Sequence, residues 1–215
     1  MKKALFFRGG WDGHQPVETS NFIAAELRKR GMEADLADDQ QCLLDPDLAR
    51  RYDVIVPVWT MGGLIPGAEE GLYNAVGAGV GIAGWHGGMC DAFRNNTEYQ
   101  FMTGGQWVAH PGNTRDYTVE IISDDPIVSG LGKTFPMHSE QYYMHVDPGN
   151  EVLAVTRYDD SVCPWIAGTV MPVVWKRRYG KGKVFYSSLG HSLDDFLNTP
   201  QCAEIVVRGI IWAAR

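Results

Sequence analysis

The fold of this chain is decided by residues 80–94, VGIAGWHGGMCDAFR. The first six residues are a continuous apolar run, of the kind that forms a β-strand buried on both faces of a sheet. Glycines surround His86, and we predict a helix over 89–94. A strand-to-helix corner this tight lifts its central side chain into a site. An imidazole raised there suits a general acid, a general base or a metal ligand.

The segments before this corner alternate between extended and helical patterns. Apolar runs bounded by turn residues predict strands, and the stretches between them carry apolar residues one turn apart, as amphipathic helices do. The predicted strands are 3–7, 33–36, 54–58 and 80–85. The predicted helices are 17–30 and 66–78. This alternation is typical of a doubly wound α/β fold with a parallel sheet, in which ligands bind beyond the carboxyl ends of the strands.

The pattern is weaker between residues 99 and 160, where Gly, Pro, His and aromatic residues are frequent. Only 118–122 and 152–155 predict strands there, so we expect an elaborated loop region over the sheet. Beyond this region, the strands 172–176 and 183–187 are predicted to form a hairpin. A last helix is predicted over 200–215. No linker, repeat or low-complexity tract divides the chain, which predicts one domain over 1–215.

The composition is that of a soluble globular protein, with 45% hydrophobic and 21% charged residues. A net charge of −7 and a pI near 5.3 argue against nucleic-acid or anionic-membrane partners, which need a basic face. No run approaches the roughly 20 apolar residues of a membrane span. The four cysteines form no CxxC, so we expect neither a zinc ribbon nor a disulfide scaffold, and a cytoplasmic location.

Histidines follow three predicted strands at the same topological position. His14 lies in the glycine-rich loop after the first strand, His86 at the corner and His191 after the hairpin. Because the carboxyl ends of parallel strands share one edge of the sheet, we expect these rings to approach one another, with Glu140 reaching them from the elaborated region. The cluster predicts catalytic proton transfer, and a divalent metal ion such as zinc stays open as an alternative.

The residues beside these histidines allow two interpretations each. Cys90 lies one helical turn beyond His86, where it either faces the same site or is a small buried hydrophobe, the commoner role. Asp91 and Arg94 either support the site or form a structural ion pair. The loop over 8–16 either binds a ligand or is a glycine-rich turn whose Trp covers the core.

Several motifs together are similar to those of the ThuA-like (trehalose utilisation) family, over nearly the whole chain. They are GWDGH at 10–14, GWHGGMCDAFR at 84–94, GGQW at 104–107, HPG at 110–112 and YGKGKVFY at 179–186. The resemblance implies the class I glutamine amidotransferase-like fold, a flavodoxin-like three-layer sandwich with a mostly parallel sheet, and a link to disaccharide use. Amidotransferases carry cysteine at the centre of the corner, whereas this chain carries His86, so glutaminase chemistry is not expected.

A small-molecule carbohydrate is therefore the expected partner, and two classes of function stay open. The chain is either an enzyme with hydrolase- or lyase-type chemistry on a disaccharide or keto-sugar, or a non-catalytic carbohydrate-binding or regulatory domain. The side chains expected to hold the sugar are Trp11, Trp85, Trp107, His110 and Tyr142. An enzyme should focus its His and Glu groups on one point, whereas a binder need not. The sequence leaves a homo-oligomer open.

Overall fold

The computed structural model describes residues 1–215 and contains eleven strands and seven helices. The strands are β1 (Lys3–Gly10), β2 (Glu33–Ala37), β3 (Val54–Thr60), β4 (Gly81–Trp85), β5 (Gly105–Ala109), β6 (Thr114–Ile121), β7 (Thr134–Glu140), β8 (Tyr143–Val146), β9 (Glu151–Arg157), β10 (Val170–Tyr179) and β11 (Gly182–Ser187). The helices are α1 (Pro16–Lys29), α2 (Leu48–Arg51), α3 (Ala68–Ala78), α4 (His86–Cys90), α5 (Thr97–Thr103), α6 (Leu193–Asn198) and α7 (Pro200–Ala213).

Nine strands form one mixed sheet in the order β2-β1-β3-β4-β11-β10-β9-β6-β7. The five strands from β2 to β11 pair in parallel, and the pairs from β11 to β7 are antiparallel. The prediction of a mostly parallel sheet is therefore wrong for the second half. The reason is visible at the hairpin, where Tyr179 pairs with Gly182 across a two-residue turn, a connection that only antiparallel strands allow.

The region between residues 99 and 160 contains five strands, β5 to β9. The predicted strands over 118–122 and 152–155 correspond to β6 and β9, whereas β5, β7 and β8 replace the expected loops. Two of them, β5 and β8, pair in a small separate sheet. Strand β7 shows why the pattern is weak: Phe135 and Met137 are buried, whereas Pro136 and His138 are exposed. A strand with one exposed face carries half the apolar signal of a central strand.

Each face of the sheet carries a hydrophobic core and a layer of helices. One core of 31 buried residues lies between the sheet and helices α1, α6 and α7. Another core, of 25 buried residues, lies between the sheet and helices α2 to α5. Strand β1 serves both, since Phe6 faces the first core and Phe7 the second. None of the helices has the length and apolar content that crossing a bilayer requires.

Packing of α7 on the sheet gives a first testable prediction. A Cβ on Gly209 would lie 2.2 Å from the Phe185 ring, whereas a Cβ on Gly77 in α3 meets nothing within 4 Å. Gly209→Ala should destabilise the fold by about 1–3 kcal/mol through overpacking. Gly77→Ala, the matched control, should stabilise it by up to about 1 kcal/mol through helix propensity. Denaturant unfolding measures both, and equal effects would contradict the close contact.

Candidate functional site

His86 occupies the predicted corner between β4 and α4, with a left-handed φ of 45°. The Tyr186 hydroxyl donates to the His86 carbonyl at 3.0 Å and holds the backbone in this turn. Only glycine fits at the next position, because a Cβ on Gly87 would lie 2.2 Å from the His14 ring. The helix that follows is the five-residue α4, which begins at His86 itself, instead of the predicted 89–94.

The side chain of His86 is 1% exposed, so the prediction that the corner lifts this side chain into an open site is wrong. Tyr142 stacks on it with ring centroids 4.0 Å apart, and since Tyr142 is itself buried it covers the imidazole and offers no face to a sugar. Nδ1–H of His86 donates to the Ser188 carbonyl at 2.8 Å. This hydrogen bond directs Nε2 into the site.

The structure brings together the four side chains that were expected to converge. Oε2 of Glu140 lies 3.1 Å from Nε2 of His86, 3.3 Å from Nδ1 of His191 and 3.8 Å from Nε2 of His14. His86 Nε2 and His191 Nδ1 are 3.2 Å apart. One ligand atom from each of the four residues lies within 4.8 Å of the others. Three of the side chains are buried and His191 is half-buried, so the cluster is focused on one nearly closed point.

Burial and mutual contact shift the pKa values of this cluster in different directions. Burial lowers the pKa of His86 to about 3, because the charged imidazole loses its hydration. Burial opposes ionisation of Glu140, but the surrounding imidazoles of His14, His191 and His86 outweigh it and hold its pKa well below the usual range. Burial also disfavours the charged ring of His191, yet the Glu140 carboxylate outweighs it and raises that pKa. The site therefore holds an ionised carboxylate, a neutral imidazole and a more basic one.

A second group of side chains borders the cluster on the side of β5. Nε2 of His110 lies 3.8 Å from Oε1 of Glu140, and the rings of His110 and Trp107 are 5.6 Å apart. His110 Nδ1 and Trp107 Nε1 are buried without a hydrogen-bond partner. Arg94 lies 4.5 Å above the Trp107 ring and forms two hydrogen bonds with Asp91, so the ion pair also supports this border. Unpartnered polar atoms beside a cluster are where a ligand gains hydrogen bonds.

The other two predicted aromatic residues have different surroundings. Trp85 is 2% exposed and packs edge-on against Phe196 in the core, so its expected role as a sugar platform is wrong. Adjacent strand residues point to opposite faces, and the residue before His86 points into the core. Trp11 is 47% exposed, and its ring is nearly perpendicular to that of His14, with centroids 4.8 Å apart. Trp11 can therefore present a flat face at the rim.

Two supporting residues were not predicted from the sequence. Oγ1 of Thr60, the last residue of β3, lies 2.8 Å from Nδ1 of His14. Oδ2 of Asp195 accepts the backbone N–H of His191 at 2.9 Å. The rule that sites follow strand ends could have found Thr60, whereas nothing in the sequence separates Asp195 from the adjacent Asp194.

Cys90 packs in the core, which decides between its two interpretations. It is 1% exposed, and burial raises the pKa of its thiol, so little thiolate exists at neutral pH. We expect iodoacetamide to modify the half-buried Cys163 well before Cys90 in the folded protein, and both at similar rates after unfolding. Peptide mass spectrometry follows the two sites, and fast modification of Cys90 in the native protein would contradict the packing role.

Comparisons with known proteins agree with the motifs. A family model described as ThuA, trehalose utilisation, matches residues 3–213. Among solved structures, a ThuA-like protein from Parabacteroides merdae has 17% identity and a TM-score of 0.78, with 99% of this chain and 89% of that chain covered. A ThuA-like protein from Bacteroides uniformis has 18% identity and a TM-score of 0.80, with 99% and 91% covered.

The fold also resembles part of a larger enzyme. The β-galactosidase from Bacillus circulans sp. alkalophilus matches 99% of this chain but 30% of its own length, with 15% identity and a TM-score of 0.62. At these identities the likenesses to solved structures show the fold alone. No curated protein matches the chain.

Proposed function

The chain belongs to the ThuA family, which is linked to trehalose utilisation, and from that premise we propose that it is an enzyme of carbohydrate metabolism whose site is the cluster of His14, His86, Glu140 and His191. The observation that carries the proposal is the convergence of three imidazoles and one carboxylate within 4.8 Å in a nearly closed place. Crowding titratable groups away from water costs free energy. A domain that only bound sugar would gain nothing from that cost.

The substrate class that we propose is a disaccharide or its keto form. Trp11 offers an exposed ring beside His14 for stacking on a sugar. Trp107 Nε1 and His110 Nδ1 offer unpartnered hydrogen-bonding groups for its hydroxyls. These three side chains lie around the cluster, so a sugar held by them would place its reacting bond near Glu140.

Proton transfer in the cluster suits elimination from a keto-sugar. A carbonyl group acidifies the neighbouring C–H, so a basic group of the site can take that proton as the glycosidic C–O bond breaks. The leaving oxygen then receives a proton from an acidic group of the site, which balances the step. Such chemistry requires no thiol or hydroxyl nucleophile, in agreement with an imidazole at the centre of the corner.

The test is a screen of trehalose, other disaccharides and their keto forms with the purified protein, with products followed by chromatography. We expect turnover of at least one substrate by the wild type and none by His191→Ala. The control is His138→Ala, which removes an exposed histidine on the same strand as Glu140. Its ring pairs with Asp116 on the neighbouring strand β6. Sugar binding without turnover of any substrate would contradict the proposal.

A non-catalytic carbohydrate-binding or regulatory domain is the second candidate. It is favoured by the likeness of this fold to 30% of a β-galactosidase chain, since the fold there is one part of a larger carbohydrate-active protein. A binding domain predicts that sugar affinity falls on Trp11→Ala and survives His191→Ala. The enzyme predicts the loss of turnover in the second variant.

A further inference from the structure

Lone pairs face one another in the cluster with too few protons between them. Nε2 of His86, Nδ1 of His191 and Oε2 of Glu140 form a triangle with sides of 3.1, 3.2 and 3.3 Å. Nδ1–H of His86 is donated to the Ser188 carbonyl, so an imidazole that carries one proton presents its lone pair at Nε2. One proton can bridge only one side of the triangle, and the other sides remain contacts between acceptors. A cation at the centre would satisfy all three atoms.

We infer that His14, His86, Glu140 and His191 bind one divalent transition-metal ion, with Zn²⁺ the best match. Imidazole nitrogen favours zinc and its neighbours, whereas magnesium and calcium favour all-oxygen sites. Donors about 2.1 Å from one ion lie about 3.0 Å apart at a right angle, about 3.4 Å apart at the tetrahedral angle and about 4.2 Å apart when opposite. The contacts of 3.1 to 3.8 Å fall in this range, and the longest separation, 4.8 Å, needs a side-chain adjustment of about half an ångström or more.

Hydrogen bonds from outside the cluster orient the ligands as metal sites require. Ser188 holds Nδ1 of His86 and Thr60 contacts Nδ1 of His14, so both rings direct Nε2 inward. Asp195 fixes the backbone N–H of His191. Such outer partners set the tautomer and the ring orientation of ligating histidines. The donors are therefore positioned before any ion arrives.

The side of the cluster that faces His110 and Trp107 is left for substrate. The inference deepens the proposed function, on which its chemical role rests, because an ion there would bind a sugar carbonyl or hydroxyl oxygen as a Lewis acid. His110 is outside the ligand set and stays available for proton transfer 3.8 Å from Glu140. Metal binding itself needs no turnover and is measured without a sugar.

The experiment titrates chelator-treated protein with ZnCl₂, and separately with CoCl₂, which reports ligation by its visible absorption. We expect one equivalent to bind and the unfolding temperature to rise with the ion. His191→Ala, whose side chain is half-buried and least needed for folding, should weaken binding by more than about 100-fold, since loss of an outer partner alone costs about 10- to 100-fold. His138→Ala should bind as the wild type does.

Two results would overturn the metal site. One is that the folded wild type takes up no ion, and the other is that His191→Ala and Glu140→Gln both bind Zn²⁺ as tightly as the wild type. Turnover by protein that takes up no ion would leave the proposed enzyme standing without the metal. Uptake of one ion with no turnover of any sugar would leave the metal site standing and remove the proposed activity.

Discussion

His86→Asn is expected to lower turnover of the sugar substrate by about 10³-fold or more while the protein stays folded. The substitution removes Nε2, which lies 3.1 Å from Glu140 and 3.2 Å from His191 at the focus of the site. Positioned acid–base groups contribute about 10²- to 10⁴-fold to rates, and loss of a metal ligand adds to that. Asparagine is chosen because the φ of 45° is left-handed, a conformation that Asn adopts more readily than Ala. Steady-state kinetics measures turnover, and circular dichroism verifies the fold.

Cys90→Ser is the matched control, since Cys90 is equally buried and lies at the other end of α4. It should cost far less activity because its sulfur packs in the core, where its hydrogen-bond partners are Thr103 and Tyr186 and not the four side chains of the cluster. An active His86→Asn variant together with an inactive Cys90→Ser variant would overturn the histidine assignment in favour of a cysteine hydrolase. If neither variant changes activity, the binding domain becomes the better account, because a fold can keep its corner without using it.

Most of the parallel half of the sheet could be predicted because its central strands are buried on both faces. Strands β1, β3 and β4 are continuous apolar runs, and loops or helices with clear periodicity separate them. Once these strands are placed, topology alone puts their carboxyl ends at one edge. The meeting of His14, His86 and His191 therefore follows from local patterns and one general rule.

The antiparallel half and the cover over His86 depend on pairings that local patterns do not encode. Glu140 ends β7, the last strand at the far edge of the sheet, and its approach to the cluster needs the whole order from β11 to β7. Tyr142 buries the His86 ring through a contact between residues far apart in sequence. For Trp85 the sequence prediction was wrong for a different reason. The motif predicts this residue at the site, but it lies next to His86 in the chain, and successive side chains of a strand point to opposite faces, so Trp85 points into the core.

Glu140→Gln is expected to lower kcat by about 10²- to 10⁴-fold with little change in KM. The amide keeps the shape of the side chain, so it preserves packing beside His14, His86 and His191 while it removes the negative charge at their centre. Both the proposed proton transfer and the proposed ion need that charge. The added ZnCl₂ should therefore also raise the unfolding temperature of the variant by less than that of the wild type, and kinetics and thermal unfolding measure the two effects separately.

Glu151→Gln is the control for the charge change, because Glu151 is an exposed carboxylate that pairs with the mostly buried Lys176. It should leave kcat and the zinc-dependent shift unchanged. A Glu140→Gln variant with wild-type kcat would show that the carboxylate is neither base nor ligand, and the buried charge would then be a structural partner of the histidines. Loss of kcat with an unchanged zinc shift would instead assign Glu140 to proton transfer and leave the ion to the three imidazoles, because a ligand cannot lose its charge without weakening the site.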